Sequence, residues 1–215
     1  MLNKIPVVIV DDHHVICAGL RSIIDSQPDM RVVAEANTGR KALAAIQQHQ
    51  PKLVLLDLQL GGDMSGLDVL RSLQTHQSTT RVLMLSAYSE AQYGLNVLRA
   101  GAAGFIAKGV EPAELLRAMR MVIRGGRYLG PALAEQLVAS ASGEDPQGPL
   151  HSRLSAREFQ IFCKLAQGES VSQVAAKMFL SVKTVSTYRR RVLDKMAMKS
   201  NADLTAYALR NELIQ

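Results

Sequence analysis

The sequence predicts an α/β chain: a doubly wound, five-stranded parallel sheet followed by a small all-α domain that carries a helix-turn-helix. Three observations carry this expectation. Short, nearly continuous apolar runs recur through the first half at intervals of about 20 to 30 residues, the pattern of strands buried on both faces of a parallel sheet. The last 65 residues show helical periodicity and no strand pattern. The formal net charge of +6 is also confined there: residues 1–150 hold 14 Lys/Arg against 14 Asp/Glu, whereas residues 151–215 hold 11 against 5.

The apolar runs lie at 7–10, 32–34, 53–56, 82–85 and 105–107, with helix-like segments around 14–26, 38–49, 65–76, 90–100 and 112–124 between and after them. Five βα units therefore fit residues 1–125. Right-handed crossovers would put helices on both faces, and ligands of such sheets bind beyond the C-terminal strand ends near a topological switch point. After Gly125-Gly126 a short helix is predicted over 131–139, with Pro131 at its start. Residues 140–149 are rich in small and polar residues without periodicity, so 126–150 reads as a connection with a short helix. Ser155-Ala-Arg-Glu158 is a capping box opening a helix to about Gln167, which Gly168 can end. Further helices are predicted over 171–179, 182–197 and 201–211, making 151–215 the second domain.

Composition excludes several classes. The longest stretch free of charged residues is 42–51, far below the roughly 18 apolar residues that span a bilayer. The apolar run at 5–10 is too short, and too acidic at its end, for a secretory signal. Cys17 and Cys163 have no partner motif, so packed thiols are expected, not a disulfide framework or zinc site. The cytoplasm is the expected compartment. A basic C-terminal segment suits a polyanion, either nucleic acid or an acidic membrane surface.

Chemistry concentrates at the strand ends. Asp11 and Asp12 follow the first strand and Asp57 the third, and a doubly wound sheet makes those ends neighbours. Three carboxylates in one pocket repel by several kcal/mol at an effective dielectric of about 20, so they need a cation or protons. Mg²⁺ takes carboxylate, carbonyl and water oxygens and leaves positions open for a phosphate. Ser86 and Lys108, ending the fourth and fifth strands, add a hydroxyl and an ammonium. Singly these residues read as turn caps or solvated side chains; together they form a site for a phosphoryl group carried on an aspartate. His13 and His14, beside the acidic rim, are expected to be structural.

Four segments, Val-Val-Ile-Val-Asp11-Asp12-His, Leu-Val-Leu-Leu-Asp57-Leu, Val-Leu-Met-Leu-Ser86-Ala and Gly-Ala-Ala-Gly-Phe105-Ile-Ala-Lys108, resemble the signature segments of the receiver domains of two-component response regulators. The resemblance spans about residues 3–125 and implies a flavodoxin-like sheet of order 2-1-3-4-5. It implies Asp57 as phosphoacceptor, with Asp12 and Asp57 binding Mg²⁺ directly, Asp11 through water and Gln59 through its backbone carbonyl. Lys108 would pair with phosphoryl oxygens, Ser86 would hydrogen-bond one of them, and Phe105 would follow as the packing half of the switch. Two departures stand out. Leu60-Gly61-Gly62 replaces the usual Met-Pro step and Gly66 lies nine residues after the acceptor instead of eight, lengthening that loop. Gly109 follows Lys108 where receivers commonly have proline, which should remove an isomerisation constraint.

In the basic segment, projecting 182–196 at about 100° per residue puts Val185, Tyr188, Val192, Leu193 and Met196 on one side. Lys183, Thr184, Ser186, Thr187, Arg190 and Arg191 fall on the other, with Arg189 near the packing side and expected to reach round from the flank. The short step Leu180-Ser181, with Ser181 placed to cap, joins this helix to the preceding one as a helix-turn-helix. A solvated basic face and a membrane-surface helix are the competing readings; the packing face lacks the Trp, Phe and Leu that membrane helices use. Leu154-Ser-Ala-Arg-Glu158, Gly168, Val174-Ala175 and Leu180 through Met196 resemble the LuxR-type helix-turn-helix. Receiver plus this module is similar to the NarL/FixJ class, and the pattern is nearest the GacA/BvgA-like members. That implies Ser186, Thr187 and Arg190 facing base edges of double-stranded DNA, and Lys183, Thr184, Tyr188 and Arg191 on phosphates. It also implies a sensor histidine kinase as phosphodonor, a dimer contact from the final helix over 202–209 that matches a two-fold operator, and RNA polymerase as a further candidate partner; the homodimer expected on phosphorylation forms either receiver to receiver or by release of the last domain from the first.

The reading that follows is a phosphorylation-controlled, non-enzymatic transcription regulator. Two alternatives stay open on the sequence: a pseudo-receiver whose lengthened Gly61-Gly62 loop blocks phosphorylation, and a Mg²⁺-dependent phosphatase using Asp57. The last lacks an evident general acid, since Gln59 stands two residues on.

Overall fold

The computed structural model describes residues 4–60, 64–76, 78–87, 90–142, 149–211 and 213–214. The chain divides into two units, Met1–Glu135 and Gln136–Gln215.

In the first unit, strands β1 (Ile5–Val10), β2 (Met30–Ala36), β3 (Leu53–Asp57), β4 (Arg81–Ser86) and β5 (Gly104–Ala107) pair in parallel in the order β2-β1-β3-β4-β5. Helices α1 (His14–Asp25), α2 (Gly39–His49), α3 (Gly66–Thr75), α4 (Glu90–Arg99) and α5 (Pro112–Ile123) follow the strands in turn, each within a residue or so of the predicted span. Val7, Ile9, Leu53, Leu55, Leu83, Leu85 and Ile106 pack with Cys17 and Ile24 of α1 and with Leu115, Met119 and Val122 of α5. The alternate residues Val8, Val10, Val54, Leu56 and Met84 point to the opposite face and are fully buried there too. Burial on both faces is why these strands read as unbroken apolar runs.

Helix ends follow local chemistry. Thr38 caps α2, and Ser65 with Asp68 forms a capping box on α3. Pro112 opens α5 where its missing N–H costs nothing. Beyond α5 the chain folds back onto the sheet: Arg81 donates to the carbonyls of Gly125 and Gly126 at 2.8 and 2.6 Å, and Tyr128 bridges Gly104. Helix α6 (Pro131–Ser142) runs three residues past the predicted end, because alanine and serine alternate there and nothing breaks the helix. Its Leu133 is fully buried, facing Gly94 of α4.

The second unit is helical, without a strand among the described residues: a 3₁₀ turn Leu150–Arg153 that the sequence did not signal, then α7 (Ala156–Ala166), α8 (Val171–Lys177), α9 (Val182–Met196) and α10 (Asn201–Arg210). The capping box Ser155/Glu158 and the Ser181 cap form as predicted, with further boxes at Ser170/Gln173 and Ser200/Asp203. Phe159, Phe162, Val174, Val185, Val192 and Leu204 are fully buried between these helices. Helix α8 ends two residues earlier than predicted. Phe179 takes a left-handed φ of 53°, and Leu180 N–H donates to the Ala175 carbonyl at 2.9 Å. That pair of features is a Schellman closure without the usual glycine, so no residue type announced it. No helix among the described residues is long and apolar enough to cross a membrane.

Candidate functional site

Sheet closure builds the acidic pocket. Val10 of β1 pairs with Leu56 of β3, so Asp11, just past β1, comes beside Asp57, the last residue of β3. Asp11 and Asp57 are 1% and 2% exposed, while Asp12 faces solvent. One ligand atom from each of Asp11, Asp12, His13 and Asp57 fits within 4.8 Å of the others. Lys108, one residue beyond β5, reaches across β4 and sets its Nζ 2.7 Å from Asp11 Oδ2 and 2.8 Å from Asp57 Oδ2. Ser86, the last residue of β4, is buried beside them, and its carbonyl accepts from Lys108 N–H at 2.6 Å. Phe105 is fully buried within β5. Gln59 N–H donates to Asp57 Oδ1 at 3.2 Å, curling the chain round the carboxylate.

Two backbone features support the rim. Gly109 has φ +93°, a conformation that the ring of proline cannot adopt, so the residue after Lys108 turns away through glycine's freedom. Gly66 opens α3 directly against the backbone of Asp57 and Leu58, where a Cβ would fall well inside contact distance of the Asp57 carbonyl oxygen. The sequence singled out Gly66 only by its spacing. The Gly61-Gly62 step lies outside the described residues.

In the second unit, Lys183, Ser186, Thr187, Arg190 and Arg191 are exposed on α9, whereas Val185, Val192, Leu193 and Met196 are buried. Thr184 and Tyr188 are half-buried at the border. The Thr184 hydroxyl lies 2.7 Å from Ser181 Oγ, so part of its hydrogen-bonding capacity serves the helix cap. The Arg191 guanidinium lies 5.9 Å from the Tyr188 ring centroid, a cation–π pair at the helix surface. Arg189 turns to the flank and donates from Nε to Asn201 Oδ1 at 2.7 Å, tying α9 to the start of α10.

A family model described as the response regulator receiver domain matches residues 7–120, and one described as bacterial regulatory proteins, luxR family, matches residues 152–208. The oxygen regulatory protein NreC of Staphylococcus carnosus is 35% identical over 214 residues, covering 97% of this chain and 98% of its own. Response regulator UvrY of Escherichia coli is 33% identical over 210 residues, covering 97% and 95%. The chain belongs to the two-component response regulators of the NarL/FixJ class. Among solved structures, response regulator ChrA of a heme-sensing two-component system is similar at 34% identity with a TM-score of 0.54, covering 99% of this chain and 100% of its own. RcsB of Salmonella enterica, bound to promoter rprA in the presence of a phosphomimetic, shares the fold at 21% identity with a TM-score of 0.71 over 95% of this chain and 98% of its own.

The response regulator's pocket is electrostatically poised. Burial, and then Asp11, push the Asp57 carboxyl up to about 6 against the opposing pull of Lys108. Burial opposes the Lys108 charge, but its hydrogen bonds to Asp11 and Asp57 prevail and hold its pKa above the usual value. One ammonium thus stands against three carboxylates, two of them buried. The carboxylate oxygens of Asp11, Asp12 and Asp57 are hard donors, with Asp12 exposed to solvent, and that set fits Mg²⁺. His13, expected to be structural, proves to sit among these carboxylates; its place immediately after Asp11-Asp12 was the only available signal. Sequence reasoning also missed two interactions that hold the second unit together. Lys195 Nζ reaches Glu158 Oε2 at 2.6 Å, joining α9 to the cap of α7, and buried His151 meets the Tyr207 hydroxyl through Nδ1 at 3.0 Å.

Proposed function

We propose that Asp57 accepts a phosphoryl group from a sensor histidine kinase and that the modified first unit controls how tightly the second grips duplex DNA. The observation that carries this is Lys108 bridging Asp11 and Asp57 across β4, which aims an ammonium at the Asp57 oxygen on which a phosphoryl group would sit. In the transfer, an Asp57 oxygen attacks phosphorus, the donor's N–P bond breaks, and the imidazole leaves with the bonding pair. Asp12 and Asp57 would hold Mg²⁺ directly, Asp11 through water and Gln59 through its carbonyl. When bound, the ion neutralises charge developing on the phosphoryl oxygens. Lys108 pairs with one of those oxygens, Ser86 donates its hydroxyl to another, and Phe105 repacks as Ser86 moves.

The phosphoryl group adds nearly two negative charges at the sheet rim, and α4 follows β4 there. Helix α4 also holds the start of α6: Glu90 Oε1 accepts from Gly130 N–H at 2.5 Å, and the Leu133 amide binds the same carboxylate. A shift of α4 therefore has a direct path into the connection. The receiver occupies 1–125, the connection 126–150 and the DNA-binding domain 151–215. On α9, Ser186, Thr187 and Arg190 face base edges, while Lys183, Thr184, Tyr188 and Arg191 hold phosphates. Helix α10 joins two copies, matching a two-fold operator. The cytoplasm is the working compartment, with RNA polymerase a further partner.

The test is intact-mass measurement after incubation with Mg²⁺ and acetyl phosphate, paired with operator binding. Wild type should gain one phosphoryl group and bind more tightly, and Asp57→Asn should do neither. An unmodified wild type, or equal operator affinity with and without phosphodonor, overturns the reading.

A further inference from the structure

Resting on the reading of α9 as the helix that faces base edges, we propose that Phe179 and Val182 form an apolar edge at its entry that reads the C5-methyl groups of thymines. The protein would thereby select A·T pairs where the helix enters the major groove. Val182 is the first residue of α9 and is 51% exposed, four and eight residues before Ser186 and Arg190. At 3.6 residues per turn these three fall within about 80° of one another, on one stripe of the helix. A recognition helix contacts base edges with its N-terminal residues, so a side chain at this end of the stripe reaches the bases if Ser186 and Arg190 do. Phe179 stands two residues before the Ser181 cap, 59% exposed and with φ 53°. A bulky residue rarely takes a left-handed backbone, because its Cβ crowds the following carbonyl, and a ring left mostly in water brings little burial to offset that strain. Glycine or asparagine would close α8 as well, so the ring has a use outside the folded unit. The opening turns of α9 also spend hydroxyls on the helix itself: Thr184 Oγ1 lies 2.7 Å from Ser181 Oγ, and the Thr187 hydroxyl donates to the Lys183 carbonyl at 2.9 Å. Beside its donors and acceptors the major groove presents one apolar group, the thymine methyl, and that is the chemistry two exposed apolar side chains match. A protein partner fits less well, since two side chains cover far less than the roughly 800 Å² per partner of a stable protein interface.

The test uses the full-length protein with Mg²⁺ and acetyl phosphate, and a duplex that it selects from a random library. Each thymine of that duplex is replaced in turn by uracil, which removes the methyl and keeps every hydrogen-bonding group. One or two replacements should weaken wild-type binding about fourfold each, the equivalent of one buried methyl. Val182→Ala and Phe179→Gly should each bind the unmodified duplex about fourfold more weakly and lose the response to uracil at one position. Glycine takes the left-handed backbone at 179 without strain, so Phe179→Gly should keep the wild-type melting temperature. Lys183→Ala, which removes a phosphate contact, should weaken thymine and uracil duplexes alike. Uracil without effect on wild type at every position, or a response to uracil unchanged in either variant, overturns the apolar edge and leaves DNA binding standing. Selection of no duplex overturns both.

Discussion

Gly66 and Asp57 meet backbone to side-chain position: the first residue of α3 lies so close to the Asp57 carbonyl that no Cβ fits between them. The Ser65/Asp68 capping box holds α3 in that place, with Asp68 Oδ2 accepting from the Ser65 hydroxyl at 2.7 Å. Gly66→Ala must push α3 or the acceptor strand end aside. We expect a loss of about 3 kcal/mol of receiver stability, of the size of other overpacked sites, with slower phosphorylation. Urea unfolding and the rate of acetyl phosphate labelling check both effects; an Ala variant as stable and as fast as wild type contradicts the packing argument.

The Glu90 carboxylate at the N-terminus of α6 holds two amides that would otherwise lack partners, and its charge suits the positive end of that helix. Glu90→Ala should raise hydrogen exchange at Gly130 and Leu133 about tenfold, the equivalent of one charge-assisted bond of about 1.5 kcal/mol. Exchange at the strands, read in the same experiment, should stay as it was.

Burial alone pushes His151 down to about 4, and the Tyr207 hydroxyl satisfies its neutral ring. Between that value and the ordinary 6.5 the unfolded chain binds more protons than the folded one. The contribution is therefore complete above pH 6.5 and is lost as pH falls toward 4, by about 3 kcal/mol across the window. Denaturation of the second unit between pH 7.5 and 4.5 should show this slope, and His151→Gln should flatten it. Equal slopes in the two proteins would mean that His151 is not the group responsible.

The arginines of α9 should separate by role. Arg191→Ala should weaken binding to every sequence alike and lower the slope of affinity against salt by about one ion. Arg190→Ala should cost about 1–3 kcal/mol at the operator and relax preference at one base pair. Arg189→Ala should act through the lost bond to Asn201, showing first in thermal stability. Operator titrations at several salt concentrations distinguish these outcomes.

Much of the architecture was legible because its signals are local. The strands of the sheet announce themselves as apolar runs, and Ser155-Ala-Arg-Glu158 writes a helix start within four residues. The end of α8 was not legible, because Phe179 adopts a left-handed conformation that sequence reserves for glycine. His13 was readable as a neighbour of the acidic pair and not as a member of it, since its orientation depends on how Asp11 is held.

The order of chemical groups along the chain determined by itself the fold class, the strand-end carboxylates and the basic face of α9, since each is a matter of residue type at a spacing of a few positions. Tertiary structure alone decided that Lys108 spans Asp11 and Asp57, that Gly66 leaves room for the acceptor's backbone, and that Lys195 locks onto Glu158. These partners stand far apart in the chain, or face each other at distances of a few ångströms. Only the closing of the sheet and the packing of the helices bring such atoms within reach, and no periodicity encodes it.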